Sequence, residues 1–337
     1  MGNKQVKIGG FTIVELLTVM AVIAVLIGLL IPALALVKDN AKKIQQRAQF
    51  HGLDVGIELY KSEFGTYPPS NDNNVNTYSS PQNPFDATPY CGANKLAEAM
   101  VGRDLLGFHP KSDFRSDGRA QVTIPGTPPT TADVDIYAAF SGNAIETAED
   151  NLKARKGPFV DLENANAYSM DEVYGNTNTK FPGGFSNNYA MDTVTGTINS
   201  YPLVLCDVYA KKRSGTNAKK TGTPILYYRA RTNYTMQDRN SKAAGANPGG
   251  IEDDIYYYND NIDLINLGMP DDGTVYTLVN GSNGDPLENF ENMILNTNVQ
   301  TVKRPYRAET YILISAGKDG DFGTADDIFN FEKDIIE

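Results

Sequence analysis

The chain has few of the residues from which hydrolytic enzymes commonly build a catalytic site. It contains only two histidines, His51 and His109, which lie far apart in the sequence. This scarcity argues against a Ser-His-Asp or Cys-His site. The chain also lacks a phosphate-binding loop and a GxGxxG motif. Paired carboxylates could serve a glycosidase, but acidic residues are too common to indicate one. We therefore predict that the protein is not an enzyme.

Positive charge is scarce as well. The chain carries 30 Lys and Arg residues against 41 Asp and Glu residues, which gives a formal net charge of −11 and an isoelectric point of about 4.8. No nucleic-acid partner is predicted, because such partners bind positively charged surfaces. We interpret the basic residues at 38–47 and 211–213 as a solvated helix face and a loop.

Cysteine occurs only at Cys91 and Cys206, and neither lies in a CxxC motif that would indicate zinc. In an exported domain an even number of cysteines favours one disulfide. Here it would close a long loop and stabilise the fold by a few kcal/mol. Two buried thiols are the alternative, and the sequence leaves both open.

What the chain does have is an apolar run of membrane length. Residues 16–37 carry no charged side chain, and these 22 residues would span roughly 33 Å as a helix, enough to cross the hydrocarbon core. Glu15 lies at the start of the run. An ionised side chain in hydrocarbon costs at least roughly 2.5–3.5 kcal/mol, so such residues are normally paired and functional. A short leader with Lys4 and Lys7 precedes the run and ends at Gly10.

Two ordinary interpretations explain this segment incompletely. A cleavable secretory signal would use the small residues at 33–35, but the apolar run is longer than the usual signal and contains Glu15. A plain membrane anchor leaves Glu15 unexplained. The third interpretation is cleavage by a dedicated peptidase after Gly10, and it gives each unusual residue a role.

Residues 9–17, GGFTIVELL, resemble the N-terminus of type IV prepilins and of the pseudopilins of type II secretion. The resemblance implies that a prepilin peptidase cuts after Gly10 and that the new amine of Phe11 is N-methylated. It also implies that this amine pairs with Glu15 of a neighbouring subunit. Opposite charges attract strongly in a medium of low dielectric constant, so the pair would set the register between helices.

Gly28 and Pro32 are further candidate assembly residues. Pro32 cannot donate its own helical hydrogen bond and crowds the carbonyl of Gly28, which makes a weak point in the helix. Filament subunits that resemble this chain often have such a segment, which can extend when the subunit leaves the bilayer. A simple kink is the alternative.

Beyond Lys38 the pattern remains helical but becomes amphipathic. We predict that one helix continues to Phe64, with Gly65 as its stop and prolines just beyond. From Phe11 it would be about 80 Å long, so its first half must lie in a membrane or among other copies. Its second half would pack one face against a sheet. The apolar positions assigned to this pattern are Val37, Ala41, Ile44, Ala48, Phe50, Leu53, Ile57, Tyr60 and Phe64.

The predicted fold class is α+β: a long N-terminal helix, membrane-spanning in its first half, packed on a mainly antiparallel sheet with large loop insertions. The predicted divisions are a leader (1–10), a transmembrane and assembly helix (11–37), its amphipathic half (38–65) and an exported domain (66–337) with an inserted subregion at about 232–300. A short helix is expected at 94–101 within the loop-rich residues 66–135. Strands are expected at 201–209, 224–231, 274–279, 310–316 and 327–331.

The acidic segment 317–327 has four carboxylates within nine residues, with glycines that let the backbone curl. Calcium takes six to eight oxygen ligands, and acids at this density would repel one another without a cation. Its position after a predicted strand resembles the C-terminal calcium loop of major pseudopilins. A solvated acidic turn is the alternative. The predicted calcium ligands are Asp319, Asp321, Asp326 and Asp327.

The resemblance implies a structural subunit of a type IV filament-like assembly, most like a type II secretion major pseudopilin. A type IV pilus pilin (for adhesion, motility or uptake) and a membrane-anchored exported binding domain that does not polymerise are the alternatives. The implied partners are other copies of the chain, the prepilin peptidase, an inner-membrane assembly platform, minor pilins or pseudopilins, and membrane lipid before assembly.

The implied location is the bacterial inner membrane, crossed once with the N-terminus in the cytoplasm and the C-terminal domain exported, and then a periplasmic or extracellular filament. The chain departs from the family pattern in having no Trp. A second point concerns its orientation: four basic residues follow the apolar run, Lys38, Lys42, Lys43 and Arg47, against two before it. The positive-inside rule favours the opposite orientation. The assigned orientation rests on the need of the leader to meet its peptidase in the cytoplasm.

Overall fold

A computed structural model describes residues 12–70, 90–115, 118–124, 126, 128–137, 145–174, 202–212, 219–237, 254–281 and 284–333. The proposed cleavage residues Gly10 and Phe11 lie outside this part of the chain. The chain divides into two compact units, Met1–Gln45 and Gln46–Glu337, and one helix contributes residues to both.

This helix, α1, covers Ile13–Phe64 and has 52 residues. It is continuous through Gly28 and Pro32. It ends where the sequence predicts: Gly65 has φ of +79°, a conformation that favours glycine, and its N–H donates to the carbonyl of Lys61 at 2.7 Å. The long N-terminal helix is therefore confirmed, and it is long and apolar enough to cross a membrane.

The second unit holds short elements. Its further helices are α2 (Gly92–Val101), α3 (Ala148–Ala154), α4 (Leu162–Ala165), α5 (Met170–Tyr174), α6 (Ile262–Leu267), α7 (Thr277–Asn280) and α8 (Pro286–Ile294), with a 3₁₀ helix at Tyr258–Asn261. Its strands are β1 (Arg119–Ile124), β2 (Thr130–Asp135), β3 (Ala167–Ser169), β4 (Leu203–Leu205), β5 (Lys211–Lys212), β6 (Lys220–Thr221), β7 (Leu226–Arg229), β8 (Tyr311–Ser315) and β9 (Ile328–Phe329).

All strand pairs in the described residues are antiparallel, so the α+β class is compatible with the structure. Instead of one sheet, however, these residues form four small ones: three pairs, β1–β2, β3–β4 and β5–β6, and one three-stranded sheet in the order β7–β8–β9. The strand expected at 274–279 is wrong, because Thr277–Asn280 is helical. The hairpin of β1 and β2 lies in a region that the sequence suggested was mostly loop.

The three-stranded sheet is buried on both faces. Tyr227 and Leu313 belong to one core cluster, together with Leu53 and Ile57 of α1. Their chain neighbours Tyr228 and Ile312, together with further residues of the sheet, belong to a second cluster that includes residues of α6 and α8. Alternate side chains of a strand point to opposite faces, which explains this division. A strand covered on both faces needs apolar residues throughout, as in the sequence YILIS of β8.

The second half of α1 has one buried face. The buried side chains recur at helical spacing, and Gly56 lies close to the backbone of Phe159. The sequence placed Ala48 and Phe50 in one pattern, but two residues turn a helix by about 200°. Phe50 is buried whereas Ala48 is exposed, so assigning both to one face is wrong. The buried residues of α1 are Gln46, Gln49, Phe50, Leu53, Gly56, Ile57 and Tyr60.

Two alanine substitutions on this helix test the assignment of faces. Ile57 is fully buried, whereas Leu59, two residues away, has 51% of its surface exposed. We expect Ile57→Ala to lower the free energy of unfolding by about 2–5 kcal/mol, because it leaves a cavity in the core. Leu59→Ala should change it by less than about 0.5 kcal/mol. Denaturant unfolding of the monomer in detergent measures both. Equal losses for the two variants would contradict the assignment.

Candidate functional site: the apolar helix and the acidic loop

Glu15 forms a reciprocal cap with Thr12 at the start of α1. The N–H and the hydroxyl of Thr12 both donate to Oε2 of Glu15, at 2.9 and 2.8 Å. The N–H of Glu15 donates back to the hydroxyl oxygen of Thr12 at 3.2 Å. This is a capping box, in which two side chains satisfy the donors at a helix start. It gives Glu15 hydrogen-bond partners but no opposite charge.

The apolar part of α1 has no covering within the described residues. Every side chain from Thr12 to Lys38 is exposed, and almost all are apolar. A soluble protein rarely exposes so large a contiguous apolar surface, and such surfaces contact membranes or other proteins. A side chain added at Gly28 would meet nothing within 4 Å, so contacts among the described residues do not require glycine there.

The acidic loop at 317–327 is closed by hydrogen bonds to Asp326. Its Oδ2 accepts from the backbone N–H groups of Lys318, at 2.7 Å, and Asp319, at 3.1 Å. Its Oδ1 accepts from the hydroxyl of Thr324 at 2.6 Å. Although partial burial alone would raise it, these hydrogen bonds lower the pKa of Asp326. Asp326 therefore holds the two ends of the loop together in its charged form.

Asp321 binds a neighbouring segment instead. Its two carboxylate oxygens accept from the N–H and the hydroxyl of Thr277, at 2.7 and 2.6 Å. The N–H of Leu278 donates to the carbonyl of Phe322 at 2.6 Å. The rings of Tyr276 and Phe322 lie 4.9 Å apart. The acidic loop is thus fastened to the start of α7.

Asp327 is the least satisfied carboxylate of the loop. Its Oδ2 accepts from the N–H of Gly323 at 2.8 Å, but its Oδ1 is buried and has no hydrogen-bond partner among the described residues. Burial, together with the charges of Asp326 and Asp319, raises the pKa of Asp327 to about 8. Burial also raises the pKa of Asp319. The charges of Asp326 and Asp319 therefore oppose the ionisation of Asp327, whereas Asp326 itself stays in its charged form.

The four predicted calcium ligands do not form a ready cation cage in this conformation. Within the described residues, no group of three or more His, Cys, Asp or Glu side chains is arranged to hold a metal ion. Asp319, Asp326 and Asp327 interact electrostatically, whereas Asp321 is engaged by Thr277. The ammonium group of Lys211 donates to the backbone carbonyl of Asp319 at 2.6 Å, so a protein cation already contacts the loop.

The remaining candidate residues lie elsewhere. Cys91 and Cys206 are both buried thiols in one core cluster, which is the alternative that the sequence left open. Burial raises the pKa of the Cys91 thiol to about 12, which disfavours its reactive thiolate form. His51 is exposed on α1, whereas His109 is fully buried and its Nε2 lies 3.1 Å from Glu146.

Sequence reasoning missed the partner of Glu15. The signal was present, because Thr12 and Glu15 have the T-x-x-E spacing of a capping box directly before an apolar helical run. It also missed Thr277 as the anchor of the acidic loop, and no local pattern links residues 44 positions apart. No family model, curated protein or solved structure matches this chain.

The role of Asp326 in closing the loop can be measured. Asp326→Asn replaces an oxygen acceptor with an amide that cannot accept from both the backbone and Thr324. We expect the free energy of unfolding to fall by about 1–3 kcal/mol, because hydrogen bonds to a charged group are lost. Denaturant unfolding in the presence of a chelator excludes any contribution from metal ions. The matched control is Glu332→Gln at an exposed position, and equal values for the two variants would contradict this role.

Proposed function

We propose that this protein is a structural subunit of a filament of the type IV pilin and pseudopilin superfamily, most like a type II secretion major pseudopilin. One observation carries the proposal: the exposed apolar part of α1 begins with a carboxylate, and the same helix ends packed in a folded core. A membrane first, and other copies afterwards, would cover the apolar surface.

The cap at Thr12 supports a role for the charge of Glu15 beyond helix initiation. A glutamine at this position would complete the same capping box, so the capping function does not require an ionised side chain. In hydrocarbon the charge would still lack an opposite partner, which is costly. The amine of a mature N-terminus at Phe11 would supply one from a neighbouring copy. Cleavage after Gly10 and N-methylation of Phe11 are part of this proposal.

The variant Glu15→Gln removes the charge of this side chain and keeps the cap. We expect this variant to insert into the membrane and to be cleaved normally, while filament yield falls at least about tenfold, because each copy loses more than about 1.4 kcal/mol of pairing energy. Electron microscopy and membrane fractionation measure the two properties in cells that have the assembly machinery.

The matched control is Thr12→Ala, which removes the cap and retains the charge, and should still form filaments. Normal filaments with Glu15→Gln would contradict the pairing. The mass of the mature N-terminal peptide tests the class independently: it should begin at methylated Phe11, whereas a start at Leu36 would indicate a secretory signal.

The acidic loop leads to a second part of the proposal, a calcium site formed by Asp319, Asp321, Asp326 and Asp327. The effect of Asp326 and Asp319 on the pKa of Asp327 supports it, because a divalent cation would relieve that repulsion. Among the described residues the Oδ1 of Asp327 has no hydrogen-bond partner, so this oxygen is available as a calcium ligand. Asp321 would have to exchange its bonds to Thr277 for the ion, so binding would loosen or rearrange that contact.

Calcium titration tests this site in the full-length protein in detergent. We expect the melting temperature to rise, since calcium at about one hundred times its dissociation constant stabilises the folded state by about 2.7 kcal/mol. A chelator should reverse the rise. Asp327→Asn should abolish the response while the protein remains folded. An unchanged melting temperature of the original chain at millimolar calcium would refute the site.

A further inference from the structure

One of the two histidines of the chain is buried in the folded second unit. The side chain of His109 has no exposed surface, whereas His51 is exposed on α1. His109 follows α2 in the chain, and its ring lies 6.4 Å from the ring of Tyr137. Histidine changes its charge between about pH 5 and 8, which makes a buried imidazole a candidate for a response to acid. The proposed filament does not use this residue.

The hydrogen bonds of His109 fix its uncharged form. Its Nδ1 accepts from the backbone N–H of Lys111 at 3.2 Å, so this nitrogen carries no proton. The proton therefore lies on Nε2, which donates to Oε2 of Glu146 at 3.1 Å. A second proton could be added only at Nδ1, where it would face the N–H of Lys111 and break that hydrogen bond.

The carboxylate that faces the ring, Glu146, also accepts from other donors. The ammonium group of Lys111 donates to its Oε1 at 2.5 Å, and the side-chain amide of Asn151 donates to its Oε2 at 3.2 Å. Although burial alone would raise it, the hydrogen bonds from Lys111 and His109 lower the pKa of Glu146. Glu146 is therefore charged already when the imidazole is neutral, and Lys111 shares that charge.

The other charged and titratable groups around the ring are bound to partners of their own. The guanidinium of Arg155 lies 3.1 Å from the carboxylate of Asp104 and 4.4 Å from the centre of the Tyr137 ring. The hydroxyl of Tyr137 donates to the buried carboxylate of Glu98 at 2.8 Å. Asp104 and Glu98 thus bind these partners, and a charge on His109 would add to the positive charge of Arg155.

We propose that His109 is an acid-sensitive latch: at neutral pH it holds the segment 108–111 against Glu146, and it releases this segment when the imidazole takes up a proton. Protonation would break the hydrogen bond from Lys111 and leave a buried positive charge near Arg155, which is costly. The latch lies within the second unit of the chain and does not depend on the proposed filament.

The segment that the latch holds supports the end of α1. The ring of Phe108 lies 5.4 Å from the ring of Tyr60 and 5.2 Å from that of Phe64. The backbone of Phe108 also exchanges two hydrogen bonds with Lys156, at 2.8 and 2.9 Å. Release of the segment would weaken both the packing at this end of the helix and the protection of these backbone groups from solvent.

The direction of the pH dependence follows from the pKa of His109. Burial, together with the charges of Arg155 and Lys111, lowers this pKa, although Glu146 acts in the opposite direction. The latched state therefore binds the proton less readily than the released state, whose pKa is the ordinary value of about 6.5. The stability that the latch contributes is complete above about pH 6.5 and is lost as the pH falls below it.

Hydrogen exchange of the full-length protein in detergent tests the latch. After correction for the intrinsic effect of pH, we expect residues 104–112 and 148–156 to exchange faster at pH 5.0 than at pH 7.5, by up to about thirtyfold. His109→Gln still donates to Glu146 but does not titrate, so it should show no such change. The matched control His51→Gln should behave like the original chain. Other groups that titrate in this range, such as Asp327, are present in all three proteins.

Unchanged exchange of these residues in the original chain at pH 5.0, or an equal acceleration in His109→Gln, would overturn the latch. Proton NMR of the two histidine rings gives a second measurement that does not require His109→Gln to fold. The signal that His51→Gln retains belongs to His109, and its midpoint should lie below that of His51. A midpoint equal to or above that of His51, or no titration down to pH 4.5, would also overturn the latch.

Discussion

The two parts of the helix α1 have different surroundings, and the rest of the structure depends on how the side chains of each part match them. The backbone hydrogen bonds of α1 are made within the helix itself. Its surroundings therefore differ only in the contacts that they make with its side chains. From Thr12 to Lys38 no other described part of the chain covers the helix, and almost all of its side chains are apolar. From Gln46 onward one face packs against β7 and β8 through residues such as Leu53 and Ile57. The packing of this second part couples the helix to the folded core.

The three-stranded sheet of β7, β8 and β9 is the element against which the second part of α1 packs. Because α1 covers one face, the other face also has to be covered, and residues 254–294 supply much of that cover through α6 and α8. This part of the chain is therefore integral to the core, although its sequence reads as an insertion. The acidic loop joins the same arrangement, since Asp321 and Phe322 bind Thr277 and Leu278. A conformational change in the acidic loop would therefore also affect α7 and the residues that cover the sheet.

Features with a strong local cause could be predicted from the sequence, and features set by distant residues could not. Gly65 and the apolar runs of β7 and β8 predict a helix end and two buried strands. The segment 274–279 has the composition of a strand, but Thr277–Asn280 is helical. There the N–H of Leu278 donates to the carbonyl of Phe322, a residue far away in the sequence. The hairpin of β1 and β2 has polar strands, so it lacks the alternation that identifies most strands. The sequence pattern assigned residues from opposite faces of α1 to one face. The turn of about 200° between Ala48 and Phe50 shows that these two residues cannot share a face.

The two features on which the proposed self-association rests act through different physics. The charge of Glu15 matters only where water is excluded, because a high dielectric constant would weaken its attraction to a distant amine. The exposed apolar part of α1 from Thr12 to Lys38 would gain instead from leaving water, in proportion to the apolar area that is covered. A charge pair of this kind specifies register, since a shift of one residue separates the charges, whereas apolar contact is tolerant of small shifts. A helix that combines both would therefore take its alignment from Glu15 and much of its adhesion from apolar surface.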